Sequence, residues 1–497
     1  MDNEHQDVTK EEAKETLSNY VNIKKFHFVM LLFFTVLATA GISIFALSFG
    51  DEKAVTVGVQ ERTEFNKLYE AYDSIQEDYF LEFNEDDLIN GAINGMVDSL
   101  GDPYSDYMNQ EETAQFNENI TSSFQGIGAE IQSMNELITI VSPIKGSPAE
   151  RAGVLPNDKI LAVDGESIQG MSASEAVMLI RGEKGTEVTL TIQRPGVQET
   201  IDLTITRDDI PLETVYYEID DQNVATVQLT SFSETSFDEL TEALQDLESQ
   251  GMEALVLDLR QNPGGLLPQA ISVANLFVPA GETIVQIEEK NGEKQVIAAQ
   301  EGDKVEVPTA VIIDEGSASA SEIVAAAVNE TADIPLFGKN TFGKGTVQTA
   351  EDFTDSSNMK ITTARWLTPN DNWVHEDGVA PTTEVDMPDY ASLPYLNIDT
   401  ALEESMLSEE VKTAEQMLKA LGLNPGNIDG LFDEDTVNAV ETYQEENELE
   451  VTGIINAETS SSIMLSLREQ LEEEDPQVNS AIEYLIEEAN IQTDEAS

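Results

Sequence analysis

Cysteine is absent from the 497-residue chain, and histidine occurs only at His5, His27 and His375. The absence of cysteine excludes disulfides, thiolate metal sites and a cysteine nucleophile. His5 lies in a charged segment and His27 in an apolar run, so a solvated catalytic centre can use only His375. Zinc sites with several histidines are excluded, and the base of any hydrolytic centre is expected to be another residue type.

Positive charge is also scarce, because 25 Lys and Arg face 96 Asp and Glu, for a formal net charge of −71. A surface this negative repels nucleic acid and anionic lipid, so no nucleic-acid partner is expected. The length predicts several domains, since one domain usually takes about 100–200 residues.

A single long apolar run covers residues 26–49, which contain no Asp, Glu, Lys or Arg. As a helix it would be about 36 Å long, enough to cross a hydrocarbon core of about 30 Å. We expect a single-pass transmembrane anchor there, with a cytoplasmic tail at 1–25 and the remaining chain outside the cytoplasm. A signal peptide is the alternative, because Ala46-Leu47-Ser48 resembles a cleavage site.

Hydrophobic periodicity divides the chain after the apolar run. Residues 50–122 are predicted to be a helical region, because apolar side chains recur at helical spacing from Phe65 to Ile75. Residues 123–207 predict a small, mostly β domain. Its predicted elements are the helix Ser172–Arg181 and the strands Ile127–Ile131, Leu137–Val141, Lys159–Val163, Glu187–Gln193 and Thr200–Thr206.

Strands and helices alternate over residues 208–395, which predicts an α/β core with a largely parallel sheet. Residues 405–466 are predicted to be helical, and 467–497 are predicted to be an acidic, helix-prone tail in which Pro476 breaks the helix. The expected fold class is therefore multidomain α/β. The predicted core elements are the strands Val224–Leu229, Ala254–Leu259 and Ala310–Ile313, and helices over Phe237–Ser249, Pro268–Phe277 and from Ser319.

Small residues dominate the segment from Asp314 to Glu322, which follows a predicted strand and begins a helix. Such a loop lets a substrate backbone approach, and the helix start supplies unpaired N–H groups for an oxyanion. The alternative is a capping box from Ser319 to Glu322, which needs no catalysis.

Lys344 stands between two glycines in the segment 341–348. This segment is predicted to be a strand with Lys344, Thr346 and Gln348 on one face. A phosphate-binding loop is excluded, because glycine follows the lysine where the motif needs Ser or Thr. An ordinary surface lysine remains the alternative.

A third turn, residues 258–266, contains a glycine pair that could present backbone amides, although it could be a plain strand-to-helix turn. The three turns could meet at the carboxyl ends of a parallel sheet. Serine, lysine and amides there would form an acyl-transfer centre. A lysine base working near neutral pH needs its pKa lowered by more than about three units from about 10.4, mainly by burial.

With these motifs, the chain resembles the carboxyl-terminal processing peptidases of serine peptidase family S41. The resemblance lies in the segments 95–107, 262–265, 317–322, 342–348 and 362–369. It implies that Ser319 is the nucleophile, Lys344 the base and Gln348 the third member. It also implies oxyanion donors at the amides of Gly265 and Ala320, and no metal or cofactor.

The β domain resembles the PDZ domain of this family, which implies binding of a substrate C-terminus by strand addition. Its implied peptide-binding residues are Gly126, Ile127, Gly128, Val177 and Ile180. Arg181 is a candidate regulatory link between this domain and the protease core, or else a solvated helix end.

Residues 411–465 resemble a peptidoglycan-binding module, so peptidoglycan is a possible partner, although such modules also serve as packing domains. A homodimer is expected from relatives that associate through terminal helices. The sequence therefore indicates a membrane-anchored extracytoplasmic serine endopeptidase. A non-catalytic scaffold and a crotonase-like acyl-CoA enzyme are the alternatives, and the intact Ser319, Lys344 and Gln348 argue against the scaffold.

Overall fold

The computed structural model describes residues 24–25, 27–36, 39, 62–134, 137–398 and 400–489. Within these ranges, no helix has the length and apolar character needed to span a bilayer. Residues 27–36 are helical, but more than half of the predicted 26–49 anchor lies outside the described residues. The anchor therefore stays a prediction.

Two compact units divide the chain, Met1–Leu88 and Ile89–Ser497. Within the first, a 3-10 turn at Thr63–Phe65 leads into helix α1 (Asn66–Asp78). No side chain from residue 62 to residue 88 is buried. Helix α2 (Glu85–Asp98) begins near the end of this unit.

The region 50–122, predicted to be helical, also contains a short strand. Helix α3 (Gln110–Thr121) follows a short strand, β1 (Asp106–Met108), which pairs antiparallel with a strand near residue 360. Three residues are too few to show the alternation that predicts a strand, and the pairing partner lies some 250 residues away, so the periodicity could not reveal β1.

The β domain forms an antiparallel sheet in the order β3-β4-β5-β7-β8, with β3 at its edge. The predicted strands β5 and β7 have the observed bounds, because alternating residues between Gly and Pro turns leave little freedom of register. Helix α5 starts after Ser172, whose hydroxyl accepts the N–H of Glu175. The elements are β2 (Ser123–Gly126), β3 (Ala129–Met134), β4 (Leu137–Pro143), α4 (Pro148–Arg151), β5 (Lys159–Val163), β6 (Glu166–Ser167), α5 (Ala173–Ile180), β7 (Glu187–Gln193), β8 (Ile201–Thr206) and β9 (Asp208–Pro211).

The core contains a six-stranded sheet in the order β10-β11-β12-β15-β16-β19, parallel except for β10, so the predicted α/β core is confirmed. A second sheet, not foreseen from the sequence, has the order β1-β18-β13-β14, with β17 paired to β18. The elements are β10 (Val215–Ile219), β11 (Val224–Leu229), α6 (Ser236–Gln250), β12 (Ala254–Asp258), α7 (Leu267–Asn275), β13 (Thr283–Glu289), β14 (Lys294–Ala298), β15 (Thr309–Ile313), α8 (Ala320–Ala332), β16 (Leu336–Gly338), β17 (Thr346–Asp352), β18 (Asn358–Leu367) and β19 (Thr383–Glu384).

A 3-10 turn at Asp389–Ser392 leads to the last four helices. Three of them share a separate hydrophobic cluster that includes Leu418, Val440 and Ile463, so they form a small core of their own. The helices are α9 (Glu409–Ala420), α10 (Glu434–Glu446), α11 (Ala457–Glu473) and α12 (Pro476–Ala489).

Helix α12 begins at Pro476, as expected for a helix-prone segment broken at that proline, while residues 490–497 lie outside the described residues. Its Ala481 and Leu485 are fully buried against Val256 and Ile312 of the parallel sheet. Helices α6, α7 and α8 cover the opposite face of that sheet. The packing of this helix on the sheet was not predicted, because acidic residues surround a narrow apolar stripe with a spacing of four, which suffices to cover a sheet face.

Replacing Leu485 with Ala should destabilise the core by about 3 kcal/mol, because it opens a cavity between α12 and the sheet. Urea unfolding of the whole protein, with hydrogen exchange of β12 and β15, measures this effect. Glu487→Ala, an exposed position on the same helix, is the matched control. Equal unfolding midpoints and exchange rates for the two variants would show that α12 does not support the sheet.

Candidate active site

Ser319 lies at the turn between β15 and α8, immediately before the first helical residue. Its backbone has φ 54° and ψ −107°, a conformation that costs a non-glycine residue about 1–3 kcal/mol. Such strain is kept only where the surroundings impose it, and it is typical of functional turns. The side chain is half-buried and lines a pocket of about 440 Å³.

The glycine pair of the turn after β12 lies against this serine. A Cβ on Gly264 would lie 2.7 Å from the Ala318 oxygen, and one on Gly265 would lie 2.2 Å from the Phe232 oxygen. Only glycine fits here, since both positions also have positive φ values, 99° and 144°. None of the hydrogen bonds found among the described residues uses the amide of Gly265 or Ala320. Both residues line the pocket, so both amides are available to an oxyanion.

Hydrogen bonds join the two turns to each other. The buried Asn262 accepts the N–H of Ala318 at 3.0 Å and the hydroxyl of Ser321 at 2.9 Å through its carbonyl oxygen. Its side-chain oxygen accepts the Gly264 N–H at 2.9 Å. The predicted meeting of these turns at the carboxyl ends of parallel strands is therefore observed, and their relative position is fixed by direct contacts.

Lys344 comes from the loop before β17, which begins only at Thr346. The prediction that Lys344 belongs to the strand is therefore wrong, and a register shift between Val347 and Gln348 interrupts the alternation as well. Tryptophan N–H groups hold this loop instead: Trp366 donates to the Lys344 carbonyl at 2.8 Å, and Trp373 donates to the Gly345 carbonyl at 2.8 Å. An irregular loop needs such partners for its carbonyl groups.

Glu322 is the residue whose role the sequence did not reveal. Its fully buried carboxylate accepts the backbone N–H groups of Ser319, Gly343 and Lys344 at 2.7, 2.7 and 2.8 Å. The Thr341 hydroxyl donates to it at 2.6 Å. The bond to Ser319 is half of the predicted capping box. The other three bonds tie the lysine loop to the same carboxylate, so one side chain positions both candidate catalytic residues.

The surroundings of the Lys344 amine lower its pKa. Burial, and then the nearby Lys360 ammonium, lower the pKa of Lys344, while Asp102 and Glu322 oppose this shift. The ammonium lies 5.1 Å from the centre of the Tyr104 ring. The direction of the shift is the one that a lysine base requires, and its first cause is the burial expected from the sequence.

Five predicted residues line this pocket: Gly265, Ser319, Ala320, Lys344 and Gln348. Among the described residues, however, no hydrogen bond joins the side chains of Ser319 and Lys344. The Gln348 amide donates to the Thr346 and Thr362 hydroxyls at 3.0 and 3.1 Å and not to Lys344. Catalytic hydrogen bonds often tighten only when substrate binds, so these direct contacts stay predictions.

The predicted peptide-binding residues of the β domain differ in their burial and in their contacts. Ile127 and Ile180 belong to its hydrophobic core, and Gly128, with φ 73°, has its carbonyl bonded to the Ser147 hydroxyl at 2.8 Å. Gly126 is buried, whereas Val177 on α5 is half-buried. Since β3 is an edge strand and packs beside α5, the edge is open to an added peptide strand.

Arg181, the C-cap of α5, contacts helix α3. It bonds to the Glu118 carboxylate at 3.0 Å, and its guanidinium lies 4.5 Å from the centre of the Phe124 ring. Helix α3 also carries Phe116 and Ile120, which line the pocket. Arg181 therefore joins the β domain to a wall of the pocket.

Family models match along most of the chain. Peptidase family S41 matches residues 223–385, and the N-terminal domain of the activating protease CtpB matches 47–113. A PDZ domain matches 139–194, and a peptidoglycan-binding domain matches 408–463. These matches confirm the resemblances that the motifs indicated for the three segments.

Two relatives from Bacillus subtilis (strain 168) are similar over nearly their whole length. Carboxy-terminal processing protease CtpA is 46% identical over 458 residues, which are 91% of this chain and 98% of that protein. Carboxy-terminal processing protease CtpB is 39% identical over 455 residues, 90% of this chain and 95% of that protein. The chain therefore belongs to the carboxy-terminal processing proteases of peptidase family S41 and is a serine peptidase.

Proposed function

We propose that this peptidase cleaves peptide bonds with a Ser319–Lys344 centre, outside the cytoplasm and anchored in the membrane by residues 26–49. The observation that carries the catalytic proposal is the convergence of Ser319, Lys344 and two unbonded amides on one pocket. Neither a non-catalytic scaffold nor an acyl-CoA enzyme would require both this set of catalytic groups and a PDZ domain.

In the proposed mechanism, the Ser319 hydroxyl attacks the scissile carbonyl carbon while the neutral Lys344 amine takes its proton. The amides of Gly265 and Ala320 donate to the oxyanion. The C–N bond then breaks, and the Lys344 ammonium protonates the leaving amine. Water hydrolyses the acyl-enzyme, again with Lys344 as the base. Gln348 would hold the amine through its side-chain amide once substrate fills the pocket.

Replacing Ser319 with Ala or Lys344 with Arg should lower turnover of a casein or peptide substrate by at least about 10²-fold, within the range for loss of general-base catalysis. Arginine keeps the charge and the length of the side chain but does not release its proton. Lys290→Arg, in an exposed turn between β13 and β14, is the matched control. Full activity of Lys344→Arg would exclude lysine as the base.

The pH dependence of the wild-type protein provides a second readout of the same proposal. Because only the neutral amine accepts the proton, kcat/KM should rise with pH through the pKa of Lys344. Since burial lowers that pKa, the midpoint should lie below the ordinary lysine value of about 10.4. A midpoint at or above that value would contradict a buried lysine base.

Replacing Glu322 with Gln should lower kcat by about 10²-fold with little change in KM, because the amide would turn an N–H group toward backbone donors and displace both catalytic loops. Circular dichroism and unfolding measurements check that the variant is folded. Glu330→Gln, near the other end of α8, is the matched control.

If Glu322→Gln unfolds, Thr341→Val removes one donor alone and should give a smaller loss of kcat. Wild-type kcat in a folded Glu322→Gln protein would refute the positioning role.

Substrate recognition is proposed to begin at the PDZ domain, where a C-terminus of a protein substrate adds to strand β3. The proposed carboxylate-binding loop is formed by Gly126, Ile127 and Gly128, with Val177 and Ile180 beside it. Arg181 would transmit occupancy of this groove to the pocket through α3. The peptidoglycan-binding domain would hold the protein near the cell wall, and two chains would form a homodimer.

Arg181→Ala should reduce stimulation of cleavage by a C-terminal peptide by about five- to tenfold, which is the size of a surface ion pair plus a cation–π contact. The measurement is cleavage of a short reporter peptide with and without a second peptide that binds the PDZ domain. Arg151→Ala, an exposed arginine of the same domain, serves as the control. Unchanged stimulation in Arg181→Ala would remove Arg181 from the coupling.

A further inference from the structure

The lining of the active-site pocket differs in its charged residues from the rest of the protein. The chain has 96 Asp and Glu against 25 Lys and Arg. The residues that line this pocket nevertheless include two lysines, Lys344 and Lys360, and no Asp or Glu. A pocket with this lining attracts an anion locally, although the surrounding surface is strongly negative.

Lys360 belongs to β18 and lines the pocket beside helix α3. It pairs directly with Ala350 of β17 and with Asp106 of β1, so these side chains share one face of the sheet. The ion pairs found within the described part of the chain do not include Lys360. Its ammonium lies instead 5.3 Å from the centre of the Phe116 ring, a contact that holds a cation without neutralising it.

The remainder of the pocket lining is largely apolar, with Phe116, Leu267, Ile323 and Val347 among its members. The Lys360 ammonium is half-buried in these surroundings, so water stabilises its charge poorly. A carboxylate brought by a ligand would therefore form both an ion pair and a charge-assisted hydrogen bond with it. Lys344 is not available for this purpose, because the proposed mechanism needs it neutral.

We propose that Lys360 is a specificity residue that binds a carboxylate of the peptide substrate beside the scissile bond. The preferred substrate segment would combine an apolar side chain with a negative charge. The carboxylate could be an acidic side chain or the free C-terminus of the cleaved segment. This inference rests on the proposed cleavage at Ser319 and names the substrate class of that site.

The test uses the full-length protein in detergent and sets of fluorogenic peptides that differ in one group. One set carries Glu, Gln or Lys at each position flanking the scissile bond, and another compares a free C-terminus with its amide. In the wild-type protein, kcat/KM should be about tenfold higher for the anionic member of at least one set, and this ratio should fall with added NaCl because salt screens the pair.

Three variants of Lys360 separate recognition from structure. Lys360→Arg should keep the preference, Lys360→Gln should abolish it, and Lys360→Glu should reverse it in favour of the Lys peptide. Lys290→Glu changes the charge equally at an exposed position of the core and should leave every ratio unchanged. If the wild-type protein cleaves the Glu peptides with a higher kcat/KM than the Gln peptides, Lys360 binds a side-chain carboxylate. If it cleaves peptides with a free C-terminus with a higher kcat/KM than the amidated peptides, Lys360 binds the terminal carboxylate.

Two results would overturn the inference. One is the same ratio of anionic to neutral peptides in the wild-type and Lys360→Gln proteins. The other is a uniform loss on all peptides with the pH midpoint moved upward, which would mean that Lys360 acts only by lowering the pKa of Lys344. In either case, Ser319-dependent cleavage of the neutral peptides would still support the proposed catalytic centre. Its absence would refute that centre separately.

Discussion

The buried carboxylate of Glu322 is the interaction on which the site depends. A carboxylate removed from water is stable only when donors replace its hydration, and here the donors come from the backbone of Ser319, Gly343 and Lys344. The need to satisfy one charge therefore fixes the nucleophile turn and the lysine loop relative to each other. The same charge opposes deprotonation of Lys344, so burial and Lys360 have to outweigh Glu322 and Asp102 for the base to function.

The parallel sheet supplies the second constraint, because β12 and β15 are neighbours and end at the same edge. The two turns that follow them are held by the Asn262 carbonyl, and glycine at 264 and 265 lets their backbones approach. Helix α12 covers the far face of the same strands, and its preceding Asp475 forms an ion pair with Arg260 at 2.7 Å. The turn that contains Gly265 is thus supported from both the pocket side and the C-terminal side.

Much of this arrangement could be predicted from the sequence. Strands such as Lys159–Val163 and Val224–Leu229 have their predicted bounds, since alternating or solid apolar runs between turns leave few choices. The residues of the pocket could be predicted because they belong to motifs in the loops that follow buried strands. The roles of Glu322 and α12 could not be predicted, because each depends on partners distant in the sequence. For the same reason, alternation could not distinguish core residues such as Ile127 from residues that line a peptide groove.

Helix α3 connects three features that lie apart in the sequence. Its Glu118 contacts Arg181 of the PDZ domain, its Phe116 lies beneath the Lys360 ammonium, and Ile120 lines the pocket. A small movement of this one helix would therefore change both the apolar wall and the position of the pocket cation. The link at Arg181 is half exposed, and its ion pair together with its cation–π contact contributes about 1 kcal/mol. It can bias two states of the pocket by about five- to tenfold but cannot by itself switch the enzyme fully on, which would need about 5.5 kcal/mol. Full activation would require the peptide to change further contacts between the PDZ domain and α3.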